Sequence, residues 1–304
     1  MKFKLLSFPI LLFSRLPLWI LYGISDLVLF PLMYYVLAYR KKVVIDNLER
    51  CFPEKSKAEK SKIMRDFYHY LSDLFIETIK SFTISKNELI QRFSFDESLS
   101  VLDELYAKNQ SMVLTLGHYG NYEWFAIGMP FFFKHHCGGP YHEMSNSFFD
   151  RLFLESRKRF GMHMYPTYKT MGVLRRGVSE PYVTALANDQ FAPPEKCYWG
   201  MFMGQETSFF VGTEKIAKDL NLSVVFCEVT RPKRGKYHIH LKLITDKPQE
   251  EPIGYIMDQH ALLLENQIKE DPSFWLWTHR RWKVNRPAHV QMGFTKPMKV
   301  RNLK

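Results

Sequence analysis

Residues 111–125 constrain the fold more tightly than any other stretch of this chain. Residues 111–116 form an apolar, strand-like run that ends in Gly117. His118 follows at once, then Tyr119, Gly120 and Asn121, and then Glu123 at the head of an aromatic, helix-like run. A strand that turns directly into a helix needs backbone angles that most residues avoid and that glycine and asparagine tolerate. The segment therefore reads as a strand–turn–helix unit of an α/β domain. It also brings an imidazole near a carboxylate. A general base needs such a carboxylate to fix its tautomer and stabilise its charged form. On one regular helix, positions five apart lie roughly 140° apart and share no face. His118 and Glu123 can pair only if His118 sits in the turn and Glu123 in the first helical turn, where an acid also suits the helix dipole. The plainer alternative is a strand end with a solvated histidine and a helix-starting acid.

The remaining pattern agrees with an α/β fold. Helical apolar spacing marks residues 61–82, 99–105, 148–160, 213–220 and 255–270. Apolar runs at residues 182–187 and 223–230 read as buried strands. Residues 237–244 alternate and read as an exposed or edge strand after a turn from Pro232 to Gly235. Residues 47–62 read as a polar connection. No repeat and no inter-domain linker stands out, so residues 46–304 are expected to form a single α/β domain.

Residues 16–37 are apolar except for Asp26, with Pro17 and Pro31 inside. A hydrocarbon core of roughly 30 Å takes about 20 helical residues, so the length is right for a membrane. Lys2, Lys4 and Arg15 flank one end and Arg40, Lys41 and Lys42 the other, which leaves orientation open by the positive-inside rule. A cleaved signal peptide does not fit: the apolar region is too long and no small-residue cleavage site follows. A single transmembrane anchor and a helix lying in the interface both fit. A buried helix pair of a soluble protein passes the same test, but the apolar length favours the membrane. Residues 1–45 are accordingly expected to be a membrane anchor.

Charge points to the class of partner. Lys and Arg exceed Asp and Glu by 42 − 31 = 11, an excess that attracts nucleic acid, anionic lipid or phosphorylated substrates. Hydrophobic residues at 46% exclude bulk disorder. The cysteines, Cys51, Cys137, Cys197 and Cys227, are far apart and form no C-x-x-C pair. That argues against zinc and a disulfide framework and suits a reducing compartment. No H-E-x-x-H spacing accompanies the histidines, and no metal is expected. No G-x-S-x-G elbow is present, which favours direct base-assisted transfer over a covalent enzyme intermediate.

Three further constellations stand out. Asn188-Asp189-Gln190 follows an apolar strand, where open α/β sheets place their sites; a capping turn before Pro193-Pro194 is the alternative. Residues 201–212 carry Gly204 and Gly212 ahead of an amphipathic helix, a plausible anion cradle. Residues 274–283 interleave Trp275, Trp277 and Trp282 with His279, Arg280, Arg281 and Lys283. That mixture suits a membrane–water interface or a phosphorylated head group. It would also stack single-stranded nucleic acid, but no nucleic-acid motif accompanies it and no such partner is expected. A C-terminal helix with aromatics packed inward is the plain alternative.

Taken together, these segments resemble the bacterial lipid A late acyltransferases, the lauroyl/myristoyl transferases of lipopolysaccharide synthesis. The resemblance spans nearly the whole chain in order: the apolar N-terminus, Asn47-Leu48 before Phe52-Pro53-Glu54, and Gly117 to Glu123 as the family's His-x4-acid core. Asn146 with Arg157, Asp189-Gln190, and the Trp277 to Lys283 ending complete it. Where the family usually shows Tyr-Arg-Pro, this chain has Tyr141-His142-Glu143, one cation short. The resemblance implies a mixed sheet flanked by helices, a glycerolipid-acyltransferase-like sandwich, with an N-terminal membrane-anchoring helix. It implies acyl transfer from an acyl carrier protein or coenzyme A thioester to a hydroxyl of a phosphorylated glycolipid, a lipid A precursor, without metal or cofactor. His118 would be the base and Glu123 its orienting acid. Asn121 or helix-start amides would hold the oxyanion, and Arg157, Arg280 and Arg281 phosphate or sugar-acid groups. Asn146, Asp189 and Gln190 would complete the substrate site. The implied setting is the cytoplasmic face of the inner membrane, among membrane lipids. A related enzyme for another hydroxylated or amino lipid, or a polyene pigment, is the nearest alternative; a non-catalytic membrane-binding or nucleic-acid-binding protein is more distant.

Overall fold

Strand Met112–Leu116 is buried at every position, as expected of a central strand covered on both faces. The computed structural model, which describes residues 2–176 and 180–296, builds a seven-stranded sheet around it. In chain order the strands are β1 (Phe93–Phe95), β2 (Met112–Leu116), β3 (His136–Tyr141), β4 (His163–Pro166), β5 (Tyr182–Ala187), β6 (Cys197–Phe202), β7 (Gln205–Phe210), β8 (Ser223–Lys233), β9 (Lys236–Thr245) and β10 (Gly293–Phe294). The main sheet runs β1-β9-β8-β2-β5-β3-β4, and β10-β6-β7 form a small second sheet. Among the described residues, only β8 and β9 pair antiparallel in the main sheet; its other pairings are parallel. The sheet is thus mixed, as expected.

The helices are α1 (Lys2–Ser14), α2 (Leu18–Ile24), α3 (Lys41–Cys51), α4 (Lys57–Lys80), α5 (Lys86–Ile90), α6 (Ser100–Ala107), α7 (Tyr122–Phe132), α8 (Ser147–Lys158), α9 (Thr170–Arg176), α10 (Gly212–Leu220) and α11 (Tyr255–Glu270). They flank the sheet on both faces. Successive β2 side chains point to opposite faces. Met112, Leu114 and Leu116 enter the larger core, and Val113 enters a smaller one with Ile216 and Ala217 of α10. α4 begins with a full capping box, in which Ser56 and Glu59 satisfy each other's backbone donors.

Three expectations are corrected. Residues 47–62 are not a connection, because α3 runs through Asn47 to Cys51 and α4 starts at Lys57. β9 is half-exposed on one face, as its alternation predicts, but it is not an edge strand, because it pairs with β8 on one side and β1 on the other. Residues 201–212 are not an anion-binding loop. They form the β6–β7 hairpin, turned by Met203 and Gly204 at φ 53° and 71°. α10 then begins at Gly212 with no side-chain cap. The apolar N-terminus is helical from Leu18 to Val36, with π turns at Ser25–Leu29 and Leu32–Val36. By length and composition these 19 residues could cross a membrane. The side chains of Lys2 and Lys4 lie outside the described residues.

Candidate active site

Strand register assembles the centre of the site. In the parallel β2–β5 pair, Leu116 stands opposite Ala187. Two residues further on, both chains leave the sheet at its C-terminal edge, and His118 meets Asp189. The His118 backbone N–H donates to Asp189 Oδ2 at 2.8 Å, and His118 Nδ1 lies 2.5 Å from Asp189 Oδ1. Trp275 Nε1 donates to Asp189 Oδ2 at 2.8 Å. Three donors thus hold one buried carboxylate in a fixed orientation.

With Nδ1 turned to the acid, Nε2 is the imidazole nitrogen left for chemistry. Gln190 Nε2 lies 3.4 Å from it, and the Tyr122 ring packs edge-on against the imidazole at 4.9 Å. Burial works against a charge on His118, but the charge and hydrogen bond of Asp189 outweigh it, so the pKa rises above 6.5. Burial likewise opposes ionisation of Asp189, but the charge and hydrogen bonds of His118 hold it well below the usual carboxylate range. The pair is poised as an ionised acid beside a readily protonated base.

The sequence paired His118 with Glu123; the contact made is with Asp189. Glu123 turns instead to α8, where Arg157 grips it bidentately, Nε to Oε1 at 2.7 Å and Nη2 to Oε2 at 2.8 Å. Such a fork-to-fork pair fixes geometry as well as charge. Burial disfavours the Arg157 charge, but the hydrogen bond and charge of Glu123 more than offset it and raise its pKa.

The turn that presents His118 is anchored underneath. Gly120 adopts φ +58°, and a Cβ there would come within 2.8 Å of Val229. The Tyr70 hydroxyl donates to its carbonyl at 2.8 Å. Asn121 caps α7, accepting from Trp124 N at 2.7 Å and donating to Glu77 at 2.6 Å. Both ends of this fully buried amide are therefore engaged inside the protein, and Asn121 is not placed to hold an oxyanion.

His118, Tyr122, Glu123, Arg157 and Gln190 line one open cleft of about 730 Å³, within the range of sites for small molecules. Arg40 and His279 also line it, and Leu71, Leu74, Phe75, Phe149 and Phe153 supply apolar wall. His279 accepts from the Phe191 N–H at 2.9 Å, and burial pushes its pKa down to about 4.

The remaining sequence candidates lie elsewhere. Asn146 is an exposed cap of α8, accepting from Phe148 and Phe149 amides. Arg280 is exposed and outside the cleft lining. Arg281 is 1% exposed, stacks 4.7 Å over the Phe209 ring, and has no hydrogen-bond partner for its guanidinium among the described residues. Burial lowers its pKa to about 9. Neither arginine is placed to meet a phosphate in the cleft. Sequence reading missed Tyr122, Arg40, Trp275 and His279 as parts of this site. For Arg40, the signal lay in the basic flank of the apolar segment.

Residues 17–284 match the model of a protein family described as bacterial lipid A biosynthesis acyltransferase. A lipid A biosynthesis acyltransferase from Haemophilus influenzae is 24% identical over 251 residues, spanning 81% of this chain and 78% of that relative.

Proposed function

Because this chain belongs to the bacterial lipid A biosynthesis acyltransferase family and is thereby an acyltransferase, we propose that His118 is the general base of the transfer. The observation that carries this reading is the contact of His118 Nδ1 with Asp189, which leaves Nε2 facing a cleft with an apolar wall. Nε2 takes the proton of an acceptor hydroxyl on a lipid A precursor. The hydroxyl oxygen attacks the carbonyl carbon of a fatty acyl thioester on acyl carrier protein or coenzyme A. The carbon–sulfur bond then breaks, the acyl chain stays on the acceptor oxygen, and the thiolate recovers the proton from Nε2. Base catalysis of this kind contributes about 10²–10⁴-fold, and positioning in the cleft supplies much of the rest.

Asp189 keeps the tautomer and steadies the imidazolium, with Trp275 holding Asp189 in turn. Glu123 and Arg157 act as a unit: the acid holds the guanidinium at the cleft wall, where its charge, with that of Arg40, suits a phosphorylated acceptor. The Trp124 amide is taken by Asn121, which leaves those of Tyr122 and Glu123, residues of the cleft lining, as the first-turn donors for the oxyanion. The cytoplasmic face of an inner membrane is the expected setting, since acyl thioesters are available there.

Mass spectrometry of lipid A from cells with and without the gene, and with a His118→Ala complement, tests the reading. Loss of one secondary acyl chain, restored by wild type alone, is expected. Restoration by a folded His118→Ala protein would overturn the role of the base. Unchanged lipid A in the deletion would move the acceptor to another hydroxylated or amino lipid or a polyene pigment.

A further inference from the structure

The 19-residue helical segment that could cross a membrane makes contact along its length with the α/β fold. Tyr22 donates to Glu77 at 2.6 Å and Ser25 to Asp73 at 2.8 Å. Phe30 stacks on His69 with ring centres 3.5 Å apart, and the Tyr68 hydroxyl donates to the Tyr39 carbonyl just beyond the segment. As the segment advances, its partners step backwards along α4, so the two run antiparallel side by side. Asp26, the acid that interrupts the apolar run, is gripped by Arg234 through Nη1 and Nη2, both at 2.8 Å. Arg234 also binds Asp73, which Arg231 reaches at 2.7 Å.

A bilayer-spanning segment would carry these partners with it. Asp73, Glu77, Arg231 and Arg234 would enter hydrocarbon, where ionisable groups are costly. So would α4, whose Tyr70 supports the His118 turn and whose Lys62–Asp66 pair is exposed. The opposite face of the segment is apolar and bare: Trp19 is 75% exposed, Leu27 80% and Val36 72%. Leu6, Phe8 and Leu12 of α1 are exposed as well. Exposed Arg15 and Lys42, with Arg40 and Lys41, bracket the segment with positive charge. An amphipathic helix of this kind, basic at its rim, fits the surface of an anionic leaflet. The face is also continuous with the cleft, whose lining includes Ile10 of α1, Tyr39, Arg40 and the exposed Phe75 and Phe149.

We propose that the protein is monotopic: the segment Leu18–Val36 lies along one anionic leaflet without crossing it, and the His118 cleft opens at that surface. Lipid then enters sideways from the leaflet, a statement about entry that rests on the acyl-transfer reading; the topology does not.

Single Arg15→Cys and Lys42→Cys variants of the full chain test it in spheroplasts and inverted membrane vesicles with a membrane-impermeant maleimide. The four native cysteines are buried and serve as a silent background. Both positions are expected to label in inverted vesicles to the extent seen in detergent, and neither in spheroplasts. Labelling of one end from each side would overturn the proposal. Recovery of the whole chain in the soluble fraction would do so too. Labelling of both ends in spheroplasts alone would uphold the in-plane segment and sink the cytoplasmic setting. Lipid A profiles from the same cells report on the chemistry separately.

Discussion

At the scale of single residues, two carboxylates compete for the role of orienting His118, and the geometry separates them. Asp189→Asn should lower turnover by about 10²–10⁴-fold, with a smaller change in substrate binding. The pH profile gives an independent reading. A general base works only when neutral, so on the proposed mechanism the rate rises with pH through the pKa of His118. Asp189 holds that pKa above 6.5. Without its charge, burial dominates, and the midpoint of the rate profile should move to lower pH. Glu123→Gln should also lower turnover, by releasing Arg157, but should move the midpoint less, because its charge is a smaller influence on His118 than that of Asp189. An unchanged rate in Glu123→Gln would reduce Glu123 to a helix-start residue. Both acids were visible in the sequence as chemistry-bearing positions. Their assignment was not, because only four residues lie between His118 and Glu123, whereas a strand crossover separates His118 from Asp189. Two apolar strands, each with a polar residue two positions past its end, carried the signal, and only parallel pairing in register turns it into a contact.

At the scale of elements, the start of α7 is where local chemistry and the site meet. Asn121→Ala removes a helix cap and strips a partner from buried Glu77, and should destabilise the protein by about 2–4 kcal/mol. Urea unfolding in detergent measures it; a change under about 0.5 kcal/mol would show that the cap is dispensable. Elements legible in the sequence were those governed by nearest neighbours. β5 spans residues 182–187 as expected, and α8, α10 and α11 fall within a few residues of their apolar spacing. The alternation of β9 predicts an exposed or an edge strand, and only the edge fails. Alternation reports which faces are wet, and edges are decided by hydrogen-bonding partners elsewhere in the chain. The tryptophans of residues 275–282, interleaved with cations, suit a membrane–water interface or a head group, with inward packing as the alternative, and two of them pack inward. Trp275 and Trp277 are buried because their ring N–H groups find acceptors inside, in Asp189 and the Pro272 carbonyl.

At the scale of the whole molecule, the basic excess and the bare apolar face act on the same surface. Sedimentation with anionic phosphatidylglycerol vesicles should exceed that with neutral phosphatidylcholine vesicles, and the difference should shrink as salt rises from 0.05 to about 0.5 M. Equal binding to both, insensitive to salt, would leave the apolar face alone responsible. The parts of the reactive centre also emerge from the ribosome in a set order. The apolar helix is complete by residue 36, His118 follows, Asp189 comes later still, and the indole that braces Asp189 only at 275. On the proposed topology and mechanism, a nascent chain can therefore reach a lipid surface long before it holds a competent base. A fragment ending just before residue 275 would carry the apolar face and the His118–Asp189 pair without the indole that braces the acid.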